Sequence, residues 1–311
     1  MLDLALGQRA FTVALNLAMA LSVGSNLTLV WAARDKSAWM AGELRRLRLA
    51  TIVAVFIAIA ASMALLWMEA AAMAEVDLLA AGQSVAMLVA DTQYGHAWLC
   101  GMVFLVLGAG AALLPSRRQN GTSSAMAGLL CTLVFFYTRS MTSHAAGDGA
   151  LTLAVFADWV HLSLISLWVG EVLVAGFFVL PKHPRVEGEN RQSCGAYLQA
   201  LSSSATISIT GIMLTGIANS VHNLSSVGEL SGNPYGNALL LKLALVLVAA
   251  SLGGANRFFV MPSLLVQLHG SSSNLPALRR FVLILKIESL VLVLALIVAA
   301  VLSATSPPMM S

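Results

Sequence analysis

Residues 158–171 hold four side chains able to bind a metal ion or move a proton, or to orient a neighbour that does: Asp158, His161, Trp168 and Glu171. At 100° per residue they fall within one helical arc of about 140°. A helix facing lipid does not carry such a stripe, so this face is predicted to turn into the interior of a helical bundle. Imidazole with carboxylate suits Cu(II), and imidazole with thioether suits Cu(I). A plainer reading is that His161 and Asp158 form an internal hydrogen-bonded pair and Glu171 is a structural ion partner. The residues alone leave both open.

Further polar groups cluster in neighbouring segments. His144 sits in the turn Thr142-Ser-His-Ala-Ala-Gly147-Asp-Gly149, whose glycines let the chain fold tightly. His96 and Cys100 are spaced i, i+4 and share a helix face, as do Thr215, Asn219 and His222 at i, i+4, i+7. Met68, Glu69 and Met73, leading on to Asp77, offer thioethers and carboxylates that can collect a cation. Asn16, Met19 and Asn26 form another inward stripe. Each group also fits ordinary helix–helix packing and hydrogen bonding. The chain has no Walker A, G-x-G-x-x-G or H-E-x-x-H pattern, so nucleotide coupling and zinc-protease chemistry are not indicated. Cys100, Cys131 and Cys194 lie far apart and make neither a C-x-x-C pair nor a disulfide framework.

The elements that must position these groups follow from composition. The chain has 311 residues, 59% apolar and only 10% charged, with a mean hydropathy of +0.85. A soluble domain carries about 25% charged residues, so a water-exposed globule is excluded. A formal charge of +3, dispersed along the chain, gives no nucleic-acid partner. At about 20 apolar residues per transmembrane helix, eight spans are predicted near 10–33, 49–72, 95–114, 124–141, 153–180, 197–221, 236–260 and 280–304. The apolar runs are continuous rather than alternating, which speaks against a β-barrel. The expected fold is an all-α polytopic bundle of eight transmembrane helices, forming a single membrane domain over 1–311. The longest outer connection, about 73–94, is expected to hold a short interfacial helix around Val76–Val89.

Orientation comes from the basic residues. Loops 1–2, 3–4, 5–6 and 7–8 hold 13 of the 17 Lys and Arg residues, while loops 2–3 and 6–7 hold none. The positive-inside rule then puts both termini outside the cytoplasm. His96, His144, His161 and His222 fall at or near the outer face, and His183 and His269 in cytoplasmic loops. Glu171, Lys242, Lys286 and Glu288 are charges inside spans, where each needs a partner or a role. Glu171 is expected to pair with Lys286 or Arg257, which the same topology places in the cytoplasmic half.

Segment 234–262 resembles the signature of the CopD/PcoD copper-resistance membrane proteins: Pro234-Tyr-Gly-Asn-Ala-Leu-Leu-Leu-Lys242, Asn256-Arg257 and Pro262 match "YG..LL.K", "N-R" and Pro. Leu214-Thr215-Gly216 resembles the "TG" of the preceding helix. His161 with Leu167-Trp168-Val169-Gly170 is similar to the "H…WLGG" helix, and Ser143-His144-Ala145-Ala146 to the "GHAA" turn. Glu171 stands where a second Gly is common, and Ser143 where a Gly precedes the His. The resemblance is carried by spans 4–8 at 124–304; spans 1–3, at 10–114, follow by hydropathy and order.

The resemblance implies copper movement at the bacterial inner membrane alongside a periplasmic copper carrier of the CopC type. Copper is then expected to meet His96, His144, His161 and His222, with Asp158 supporting His161. Met68, Met73 and Glu69 form an outer capture point. No catalytic step is implied, and the partners are copper, the carrier and membrane lipid. A rival reading is a b-type cytochrome or quinone-linked electron carrier, which needs two histidines on facing helices at similar depth. A third is a structural or sensory subunit that recruits a periplasmic partner and transports nothing.

Overall fold

The computed structural model describes residues 2–34, 39–114, 121–147, 149–182, 186–188, 190–223, 233–270 and 275–303. All regular structure among them is helical. Helix α1 covers Leu2–Arg34 and α2 Leu44–Met73. A 3₁₀ turn at Leu78–Ala80 leads into the short α3, Gly82–Asp91, followed by α4, Gln93–Leu113, and α5, Gly121–Ser140. After a second 3₁₀ turn at His144–Ala146 come α6, Leu153–Leu173, and α7, Asn190–Asn223. The chain closes with α8, Pro234–Ala255, α9, Met261–His269, and α10, Pro276–Ser303.

Seven helical segments among the described residues are long and apolar enough to cross a bilayer, among them Leu153–Val179 and Pro234–His269. The protein is a multi-pass membrane protein. Helix α5 has 20 residues, packed against α1, α4 and α6, but Ser123, Ser124, Thr132, Thr138 and Arg139 dilute its apolar character. A short helix, α3 with its leading turn, overlaps the stretch Val76–Val89 where an interfacial one was expected, and Trp67 Nε1 fastens that turn by donating to the Leu78 carbonyl at 2.7 Å.

Helix α1 is the central strut, with α2, α5, α6 and α10 around it. It can serve so because its inward face is small or flexible: Ala18, Met19, Ala20, Val23 and Gly24. At Gly24 and Gly170 the backbones of α1 and α6 touch, and a Cβ on either glycine would run into the other helix's main chain. In lipid, where apolar side chains gain nothing from leaving the solvent, such close backbone approach is a principal source of helix association. The contact fixes α6 against α1 and turns Trp168 and Glu171 inward, at 2% and 0% exposure. Outward faces carry large apolar side chains such as Phe56, Ile57, Ile207, Ile217, Phe258 and Phe259, as a lipid-facing surface requires.

Two helices loosen into π-helical turns. One, Val174–Val179, follows α6, and the other, Asn256–Val260, joins α8 to α9. The helix predicted to end at 260 therefore runs on, as α9, to His269. Arg257 lies inside this segment rather than at a loop edge. π-turns are rare and gather at functional sites because they leave backbone groups and side chains out of the regular helical register.

Candidate functional site

The start of α6 carries the candidate site, and its local sequence explains why it begins there. Thr152 caps the helix, its side-chain oxygen accepting from Val155 N at 3.3 Å, and Thr92 and Asn233 cap α4 and α8 in the same way. Long-range contacts tie other helix ends to their neighbours. Gln8 Nε2 of α1 meets Glu69 Oε2 of α2 at 3.5 Å, and Arg139 Nη1 of α5 donates to Asn16 Oδ1 of α1 at 2.7 Å. Tyr235 and Leu239 of α8 pack with Leu302 of α10.

His161 is buried between α6 and α7, with Nδ1 2.9 Å from Thr215 Oγ1. The single hydroxyl hydrogen of Thr215 goes to the Gly211 carbonyl at 2.7 Å. Thr215 therefore accepts from His161, which places the ring proton on Nδ1 and leaves the Nε2 lone pair free. This is the tautomer of a metal-ligating imidazole held by a neighbour. Gly216 lies beside the ring, where a Cβ would stand at an ordinary contact distance of 3.5 Å from His161 Cε1.

Asp158 does not take the supporting role expected of it. Its Oδ2 is 3.2 Å from Ser143 Oγ, in the turn before α6, and the same hydroxyl also reaches the Ser140 carbonyl at 2.9 Å. Asp158 faces this turn, within electrostatic range of Arg139 and Lys242, while Thr215 on α7 stands across from the His161 ring. Thr215 was legible as part of a polar line, but its partner depended on side-chain direction across two helices. The Thr215-Gly216 pair, whose threonine holds the ring, was the available signal.

The remaining candidates are more scattered. His96 is exposed at the start of α4, its Nε2 3.0 Å from the Ala90 carbonyl at the α3–α4 corner. His144 opens its 3₁₀ turn and His222 lies one residue before the end of α7; the side chains of both lie outside the described residues. Met68 packs its terminal methyl against Gly7 of α1, Glu69 meets Gln8, and Met73 is exposed. Among the described residues no three His, Cys, Asp or Glu side chains converge as a metal site.

The expected pairing of Glu171 with Lys286 or Arg257 is not made. Arg257 Nη1 donates to Ser202 O, Ser202 Oγ and Thr206 Oγ1, each at 2.7 Å, because the π-turn swings it toward α7. Lys286 rests its ammonium 5.7 Å from the centre of the Phe177 ring. It is two residues from Glu288 and so points to another side of α10. Glu288 is buried and accepts from Trp168 Nε1 at 3.0 Å.

Comparison with known proteins adds what this geometry does not carry. Residues 195–302 match the family described as copper resistance protein D, and residues 1–153 match the copper resistance protein D-like N-terminal domain. The chain is 31% identical over 268 residues to copper resistance protein D of Pseudomonas syringae pv. tomato, covering 85% of this chain and 81% of that protein. It belongs to the copper resistance protein D family. Within 167 residues it is also 28% identical to copper transport protein CutJ of Bacillus subtilis (strain 168), covering 52% of this chain but only 30% of that relative. No solved structure matches the chain. The cytochrome reading finds no support in these relatives, and among the described residues His161 is the only histidine buried in the bundle.

Proposed function

We propose that this family member binds copper at the periplasmic face of the bacterial inner membrane and moves it across or along that membrane. The observation that carries this reading is the held imidazole of His161: buried, its Nδ1 2.9 Å from Thr215 Oγ1, with no hydrogen bond from its Nε2 to a side chain among the described residues. In this reading α5 is the eighth span and both termini are periplasmic, as the loop charges indicate. His144 and His222 join His161 from the turn before α6 and the end of α7, and His96 from α4. Met68, Glu69 and Met73 offer an outer capture point. Asp158 contributes charge, offset by Arg139 and Lys242, rather than ring support.

Ligands from neutral imidazole and thioether exchange readily, as a conduit needs, where a thiolate cage would retain the ion. A periplasmic carrier of the CopC type would deliver the metal. The test is copper stoichiometry and oxidation state in the purified protein, by metal analysis with X-ray absorption. Nitrogen ligands at the bound copper, lost in His161→Ala with His144→Ala at equal expression, support the site. Equal copper binding by wild type and double variant refutes it.

A further inference from the structure

About 15 Å along α6 from His161 lies a second set of buried polar groups that the copper reading does not use. Glu171 is fully buried, and neither carboxyl oxygen has a hydrogen-bond partner among the described residues; Ser204 stands beside it without bonding geometry. Glu288 of α10 lies within electrostatic range, joined to α6 by Trp168. Glu288 also lines a cavity of about 230 Å³ between α6, α7, α8 and α10. Asn256, 3% exposed, lines the same cavity; its Nδ2 donates to the Phe281 carbonyl at 3.2 Å while its Oδ1 has no partner. Gly253 makes room for the carboxyl, since a Cβ there would stand 3.0 Å from Glu288 Oε1.

These unpartnered atoms share one character. Both Glu171 oxygens and Asn256 Oδ1 are acceptors that close no hydrogen bond among the described residues, the Ser204 hydroxyl being the donor nearest Glu171, and the neighbouring cations are committed elsewhere: Arg257 to Ser202 and Thr206, Lys286 to the Phe177 ring. Among the described residues, Tyr197 of α7 also lies within electrostatic range of Glu171, with Cys194 of α7 and the Thr28 hydroxyl of α1 near Tyr197. Two ionised carboxylates cannot share so buried a place without a counter-charge. A metal ion would want more ligands than the described residues bring together. A proton needs none beyond the carboxyls themselves. The two π-turns, Val174–Val179 and Asn256–Val260, border this same region.

We infer that Glu171 and Glu288 form a proton-exchange site, opening through Glu288 into the cavity between α7, α8 and α10. The pair alternates between one bound proton and two: a proton leaves a carboxyl for cavity water, giving one carboxylate, and returns to restore the neutral pair. The site goes beyond the copper reading and does not depend on it. The test is infrared spectroscopy of the purified, copper-free protein in H₂O and in D₂O. At neutral pH the wild type is expected to show a protonated-carboxyl C=O band that shifts in D₂O. That band should be lost in the Glu171→Gln, Glu288→Gln double variant. A wild-type spectrum with every carboxyl ionised at neutral pH overturns the site, whether or not the variants fold. So does a protonated-carboxyl band that persists in the folded double variant. The sample contains no metal, so the result stands whether or not the protein proves to bind copper.

Discussion

Thr215→Val is the sharpest test of how the candidate copper site is built. Valine keeps the shape of threonine but removes the oxygen that accepts the His161 Nδ1 proton at 2.9 Å. The ring is 8% exposed, so water cannot readily replace the lost acceptor. Leaving a buried donor unpaired costs about 1–3 kcal/mol. Removing the group that orients a metal-binding imidazole lowers metal affinity by roughly 10–100-fold, about 1.4–2.7 kcal/mol. Copper affinity is measured by competition titration on detergent-purified wild type, Thr215→Val, Thr215→Ser and His161→Ala. The expected order is wild type close to Thr215→Ser, then Thr215→Val, then His161→Ala. The serine variant retains the hydroxyl and should rescue binding. If Thr215→Val binds copper as wild type does while its thermal stability falls, His161 is a structural histidine and the reasoning from its tautomer is wrong.

Gly170→Ala puts a methyl against the Ala20 carbonyl, where the backbones of α1 and α6 touch, and should destabilise by at least the ~1–3 kcal/mol of ordinary overpacking; an unchanged melting temperature in detergent would contradict the crossing. Trp168→Phe removes the indole donor to Glu288 and should cost about 1–3 kcal/mol. Glu288→Gln, which keeps an acceptor for the indole, should cost less in the same melting assay. Reporters fused within 34–48 or 182–195 should read cytoplasmic and one after Ser311 periplasmic; a cytoplasmic C-terminus would break the argument from loop charge.

Much of the architecture was written in hydropathy. The run 153–180 emerged as Leu153–Val179, and the stripe of His161, Trp168 and Glu171 turned inward because polar groups are costly in lipid. Asn16, Met19 and Asn26 also proved to be an inward line: Met19 and Asn26 are buried, and Asn16 receives Arg139. What periodicity could not reveal was the direction of side chains across an interface. Thr215 rather than Asp158 holds His161, and Arg257 turns to α7 rather than to Glu171. Both π-turns end two residues before a proline, Pro181 and Pro262, which was the available signal for an irregular turn, but the direction in which Arg257 swings was not in it. The pairing expected for Glu171 assumed that a buried charge finds an opposite one, and here a second carboxyl stands nearby instead.

The meeting of Gly24 with Gly170 has a mechanical consequence. It is a fulcrum placed unevenly along α6, one residue from Glu171 and nine from His161. At 1.5 Å per residue the short arm is about 1.5 Å and the long arm about 13.5 Å. A tilt of ~5° about that point shifts the His161 position by ~1.2 Å, about the misplacement that separates a good ligand from a poor one, and the Glu171 position by ~0.1 Å. The imidazole end of α6 is thus the end that a small tilt displaces, while the carboxyl end stays anchored.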